Sequence, residues 1–165
     1  MFGIASFAFP RLVSVTLTYS PSVKVKLNTM AQAFVGKWNL VESENFDEYM
    51  KAVGVGLLTR KMAATIKPLM EISVEGDHWK LHSQSTFKNV MTEFDLGKEF
   101  DETTADGRVM KSTFTFENGK LIQVQKKIKS GDKDSRFVRY VEGDKLIMEM
   151  ESEGVKAKRT YQRAA

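Results

Sequence analysis

Beyond Pro68 the chain repeats one unit: a short run in which polar and apolar residues alternate, then a break that contains glycine in every case but 84–87. The runs are 70–74, 79–83, 88–94, 98–103, 108–116, 120–128, 135–141, 145–151 and 155–162. The breaks hold Gly76-Asp77, Gly97, Asp106-Gly107, Asn118-Gly119, Gly131-Asp132, Glu142-Gly-Asp144 and Gly154. Alternation at period two marks half-buried strands, and Gly with Asn or Asp between such runs marks tight hairpins. With the run Phe34–Ser43 this makes ten short, evenly spaced strands. The expected fold is all-β, a ten-stranded antiparallel up-and-down barrel. Eight strands leave room for about one small ligand, so ten predict a larger cavity.

One segment breaks the rhythm. Phe46, Tyr49, Met50 and Val53 recur at helical spacing behind Asn45, a candidate N-cap, with Asp47 and Glu48 in the first turn. Gly54-Val-Gly56 ends this helix, and a second runs from Leu57 to Lys67 ahead of Pro68. The pair is too small for a separate domain and is expected to cap one barrel end as a helix-turn-helix lid.

Composition narrows the chemistry. The chain has 165 residues, enough for one domain, and no cysteine, which excludes disulfides and thiolate metal sites. Net charge is +4 without a concentrated basic stripe, so nucleic-acid binding is not expected. Residues 1–29 contain no acid and precede a second methionine, Met30. They read as an extension, expected to be disordered, ahead of a domain at 30–165. Translation starting at Met30 is the first reading of it, and a transit peptide or a signal peptide the others. His78 and His82 share the polar face of one strand, too far apart to chelate a metal, and no nucleophile, phosphate-loop or dinucleotide motif is present. Neither an enzyme nor a cofactor is expected. Glu99, Asp101 and Glu102 beside a turn read as solubilising charge.

The informative departure lies in the last strand. Lys156, Lys158, Thr160 and Gln162 share one face, and Val155, Ala157, Arg159 and Tyr161 share the other. Arg159 thus points inward with the apolar set, or leaves the barrel at a strand end. An unpaired buried guanidinium costs several kcal/mol, and no acid lies on that face of the strand. A ligand carboxylate is the economical counter-ion. Arg139 shares a face with Phe137 and Val141, less cleanly. The strand between carries Leu146, Met148 and Met150 inward. Arg139 and Arg159 therefore flank it and can converge on one anion, with the Tyr161 hydroxyl as a third donor.

These residues sit in motifs that resemble the cytosolic fatty-acid-binding proteins, closest to the heart, adipocyte and muscle type. The motifs are Gly36-Lys-Trp-Asn-Leu-Val-Glu-Ser-Glu-Asn-Phe-Asp-Glu-Tyr-Met50, Gly54-Val-Gly56 with Thr59-Arg60-Lys61, Ser85-Thr-Phe-Lys-Asn89, Gly97-Lys-Glu-Phe-Asp-Glu-Thr-Thr-Ala-Asp-Gly-Arg108 and Arg159-Thr-Tyr161. The resemblance covers about residues 33–163. It implies a monomeric carrier of one long-chain fatty acid, with Arg139, Arg159 and Tyr161 on the carboxylate. Phe46, Tyr49, Met50, Ala63, Pro68, Phe87, Asp106 and Gln125 would line the cavity or its portal, with Met148 beside them. It also implies transient contact with anionic membranes, and in some members a nuclear-import patch, at positions matching Lys51, Arg60 and Lys61. The solvated face of a lid helix is the plainer reading of those three. The implied location is the cytoplasm, with the nucleus, or with mitochondria or secretion if residues 1–29 target the chain. A retinoic-acid carrier is the alternative ligand reading, and a secreted lipid binder the alternative setting. Lys126–Arg136 is about three residues longer than in the vertebrate heart type, and is expected to lengthen a hairpin away from the lid.

Overall fold

The computed structural model describes residues 28–165, so the expectations for the extension at 1–29 lie outside the described residues up to 27, while 28 and 29 are helical rather than disordered. A helical turn, α1, covers 28–32 and straddles Met30. It is followed by β1 (Gly36–Glu44), α2 (Phe46–Ala52), α3 (Leu57–Thr65), β2 (Leu69–Glu75), β3 (His78–Gln84), β4 (Val90–Asp95) and β5 (Glu99–Thr103). Then come β6 (Val109–Glu117), β7 (Lys120–Lys127), β8 (Ser135–Glu142), β9 (Lys145–Ser152) and β10 (Val155–Arg163). Strand bounds fall close to those read from the alternation. The second helix stops at Thr65 rather than Lys67, because Ile66 is already extended (φ −89°, ψ 130°).

All ten strands form one antiparallel sheet in the order β4-β3-β2-β1-β10-β9-β8-β7-β6-β5. The meander closes where β1 pairs with β10, Leu40 opposite Tyr161 and Ser43 opposite Arg159. The register slips between Leu40 and Glu42, so Val41 forms a bulge beside the helices. β4 and β5 end the sheet and are not hydrogen-bonded to each other. Aromatic side chains bridge that gap: Phe94 of β4 stacks on Phe100 of β5 at 6.2 Å and on Phe114 of β6 at 3.6 Å.

The two barrel ends differ. At one, α1 and the turn after it close the floor. Phe34 meets Trp79 at 5.5 Å and Phe116 at 5.8 Å, edge to face. Arg163 reaches from β10 to the carbonyls of Ala33 and Val35. In the β6–β7 turn, Gly119 has φ +76°, and a Cβ there would lie 2.5 Å from Met30 Cε. Glycine is thus required twice over, by backbone conformation and by the packing of α1. The other end carries α2 and α3.

In an antiparallel meander, every connection after an odd-numbered strand lies at the same end. The longer β7–β8 hairpin therefore sits at the lid end, contrary to the sequence expectation. The Tyr49 hydroxyl of α2 contacts Ser135 Oγ at the start of β8 at 3.1 Å. Asn45 also differs from expectation. It adopts a left-handed conformation (φ 55°) and makes no side-chain cap. Its Nδ2 instead donates to the Lys156 carbonyl at 2.7 Å, tying the start of α2 to β10.

On the outer face of β3, His78 is held by Asp95 through Nδ1 and by Glu93 through Nε2, both at 2.8 Å. The hydrogen bond to Asp95, then that to Glu93, raises its pKa above 6.5. His82 bonds Gln84. Both histidines are thus engaged by neighbouring side chains on the strand surface.

Candidate functional site

The aromatic floor fills the lower half of the barrel. Above it, under the helices, lies a cavity of about 300 Å³, at the small end of the range for ligand pockets. α2 contributes Phe46, Tyr49 and Met50, α3 contributes Ala63, and Pro68 precedes β2. Phe87 comes from the β3–β4 turn and Asp106 from the β5–β6 turn. Gln125, Arg139, Met148, Arg159 and Tyr161 come from the inner faces of β7 to β10. The fold thus gathers all twelve of these sequence-picked positions around one space.

Arg139 is the most constrained of them. It is 8% exposed, and its Nε and Nη1 have no hydrogen-bond partner among the described residues. Its guanidinium lies 5.3 Å from the Phe137 ring and 5.9 Å from the Phe114 ring. Burial lowers its pKa, and the nearby Glu102 charge opposes that shift without bonding to it. Arg139 therefore holds open donors in a nearly dry place, where an unmade hydrogen bond costs most.

Arg159 is half-buried and differently held. Its Nε donates to Ser43 Oγ at 3.1 Å and its guanidinium stacks on Phe46 at 4.2 Å. It thus lines the cavity while sealing the seam between β1, β10 and α2. The Tyr161 ring lies 5.9 Å from the same guanidinium, and its hydroxyl makes no hydrogen bond among the described residues. Three donor side chains from β8 and β10 therefore face one space with hydrogen-bonding capacity left over.

At the mouth, Asp106 is paired with Arg108 Nε at 2.7 Å and with the Thr104 hydroxyl. Burial pushes the Asp106 pKa up, and the bonds from Arg108 and Thr104 outweigh it to give a net lowering. Phe87 stands 53% exposed beside α3. Leu57, Leu58 and Met62 of α3 are also exposed, Leu58 at 75%.

Two sequence expectations change here. Arg60 does not lie on a solvated helix face. Its side chain is only 14% exposed, with Nε on Asp47 at 3.0 Å and Nη1 on the Val55 carbonyl, and it pins α3 to α2. Lys51 stays on the surface beside Glu48 at 3.9 Å, and Lys61 is exposed with no ion pair among the described residues. Glu102 is not solubilising charge. Along β5 the exposed residues are Glu99, Asp101 and Thr103, while Phe100 and Glu102 turn inward. Glu102 Oε2 accepts from the Ser112 hydroxyl, from Gln123 Nε2 at 2.7 Å and from Gln125 Nε2 at 2.8 Å. Its alternation with Phe100 was the available signal.

Comparison with known proteins adds independent findings. Residues 35–164 match the model of the lipocalin / cytosolic fatty-acid binding protein family. The chain is 60% identical over 134 residues to fatty acid-binding protein homolog 6 of Caenorhabditis elegans, covering 81% of this chain and 99% of that protein. It is 47% identical over 135 residues to the adipocyte fatty acid-binding protein of Pygoscelis papua, covering 82% of this chain and 100% of the other. Among solved structures, apo lipid binding protein 8 of Caenorhabditis elegans superimposes with a TM-score of 0.78 at 41% identity, covering 81% of this chain and 96% of that one. The Schistosoma mansoni fatty acid binding protein in complex with arachidonic acid superimposes with a TM-score of 0.77 at 36% identity, covering 82% and 99%.

Proposed function

Because the chain belongs to the lipocalin / cytosolic fatty-acid binding protein family, we propose that it carries one long-chain fatty acid in its cavity, the carboxylate meeting Arg139, Arg159 and Tyr161. It is a binding protein rather than an enzyme. The observation that carries the ligand reading is Arg139: a buried guanidinium with two open donors beside an apolar cavity calls for an anion with a long apolar tail. The complex of the Schistosoma mansoni relative with arachidonic acid supports this choice of ligand. The family's description as cytosolic supports the cytoplasm as the place of action.

Magnitudes divide the work between tail and head. Burying about fourteen methylenes at ~0.8 kcal/mol each contributes roughly 11 kcal/mol gross. A charge-assisted hydrogen bond contributes about 1.5–3 kcal/mol, and association costs several kcal/mol. The tail supplies most of the affinity. The arginines and Tyr161 set orientation and the preference for acids over alcohols. Arg159→Gln should therefore weaken binding of a fatty acid about tenfold and of the matching fatty alcohol much less. Displacement of a fluorescent fatty acid measures both, and equal weakening would remove Arg159 from the carboxylate site.

Transfer of ligand by contact with anionic membranes is supported by the exposed Leu57, Leu58, Met62 and Phe87 with the free Lys61 close by. Arg60, held by Asp47, adds nothing to it. Leu58→Asp should slow transfer to vesicles containing phosphatidylserine by roughly fivefold or more, since a burying apolar contact is replaced by a repelled charge. An unchanged rate would move the contact elsewhere.

A further inference from the structure

The carboxylate site does not use Glu102, an acid that lines the same cavity. It projects from β5 into the same space as Arg139. Oε2 accepts three hydrogen bonds, from Ser112, Gln123 and Gln125, all of them buried. Donors from two adjacent strands, β6 and β7, hold the group in one position. Oε1, by contrast, has no donor among the described residues. Asp106, the other acid lining the cavity, differs: Arg108 and Thr104 engage both of its oxygens.

The cavity therefore presents open donors, Arg139 foremost, and an open acceptor on Glu102. Among the described residues Arg139 offers buried Nε and Nη1 without an acceptor, and Glu102, whose three hydrogen bonds all go to Oε2, leaves Oε1 open to the cavity. They do not bond to each other. An unsubstituted fatty acid answers the donors and leaves the acceptor open. A ligand that answers both carries a carboxylate and, along its chain, an O–H donor.

We propose that Glu102, fixed by Ser112, Gln123 and Gln125, is a subsite for a hydroxyl on the acyl chain, so that the cavity prefers long-chain hydroxy acids to their unsubstituted parents. This rests on the reading of the barrel as a fatty-acid carrier. The chemistry is a neutral donor meeting a carboxylate oxygen that faces the cavity, a charge-assisted bond that offsets the cost of burying a hydroxyl. Without Glu102 that cost stands alone, and a hydroxy acid binds more weakly than its parent. The position of the hydroxyl matters, because Glu102 is held and the carboxylate is anchored elsewhere in the same space.

The test uses the delipidated protein and a bound fluorescent fatty acid, displaced by octadecanoic acid and by each of its positional monohydroxy isomers. At least one isomer is expected to displace the probe roughly tenfold more tightly than the parent. Glu102→Gln keeps a carbonyl oxygen for the three donors and puts an amide N–H in place of Oε1. It should abolish that preference while leaving the parent within about threefold. If every isomer binds the wild-type protein more weakly than the parent, or if the preference survives in Glu102→Gln, the subsite is overturned. The wild-type comparison decides the matter even if the variant fails to fold. A protein that binds neither parent nor isomers overturns the carrier reading itself, which is a separate result.

Discussion

Arg139→Met should make the ligand-free protein more stable and its grip on fatty acids much weaker. The guanidinium is buried with two donors unmade, and desolvation is the largest influence on it. Contacts with the Phe114 and Phe137 rings at 5.9 and 5.3 Å offset part of that cost, by about 0.5–2 kcal/mol. Glu102 contributes a favourable field without a hydrogen bond. The effective penalty of a buried ion is several kcal/mol, so desolvation wins, and an apolar side chain of similar reach is expected to stabilise by about 1–4 kcal/mol. At roughly 2–4 °C per kcal/mol for a domain of this size, the delipidated variant should melt about 2–16 °C higher. Acid binding should fall by about a hundredfold, because two charge-assisted hydrogen bonds go and a carboxylate is buried with fewer donors. The matching alcohol should change by less than about threefold, within the ordinary variation of a tail-dominated fit. Calorimetry on stripped protein is the measurement, since residual ligand stabilises the native state by mass action. A lower melting temperature would mean that Arg139 is satisfied internally in the ligand-free barrel.

Trp38→Ala should cost the most stability without touching the ligand. Trp38 is fully buried, its Nε1 donates to the Phe34 carbonyl at 2.9 Å, and the Arg163 guanidinium covers its ring at 4.0 Å. Through its pairs with Met70 and Arg163 it joins β2, β1 and β10 at the closed end. Truncating such a side chain costs about 3–5 kcal/mol in transfer and cavity terms, and the orphaned carbonyl adds about 1 kcal/mol or more. A fall in melting temperature of roughly 10–15 °C is expected. Trp38 does not line the cavity, so fatty-acid affinity measured well below the new transition should stay within about threefold, the tail's contacts being intact. A drop of only a few degrees would show that the floor is held mainly by Phe34, Trp79 and Phe116.

Much of this architecture was legible because strand periodicity is a local property. In β10, Val155, Ala157, Arg159 and Tyr161 share a face whatever the rest of the chain does, and the glycine-bearing breaks mark the hairpins. The twelve positions picked from motif and alternation all border one cavity, among other lining residues that neither signal marked. The errors share a different cause. Glu102 sits between Asp101 and Thr103 and reads as surface charge, because its donors Ser112, Gln123 and Gln125 lie ten to twenty-three residues away. Arg60 reads as a lysine-like solvated residue until Asp47, thirteen residues earlier, is brought alongside. Asn45 reads as a cap until the Lys156 carbonyl arrives from the far end of the chain.

Alternation and turn chemistry were enough to establish ten strands, a helical lid and an inward Arg159. They could not say which interior charges would find partners. That depends on closing β1 against β10, which brings side chains remote in sequence within the few ångströms over which a hydrogen bond forms or fails. Among the described residues, closure left Arg139 without an acceptor, gave one oxygen of Glu102 three donors and the other none, and put the long β7–β8 hairpin beside the lid.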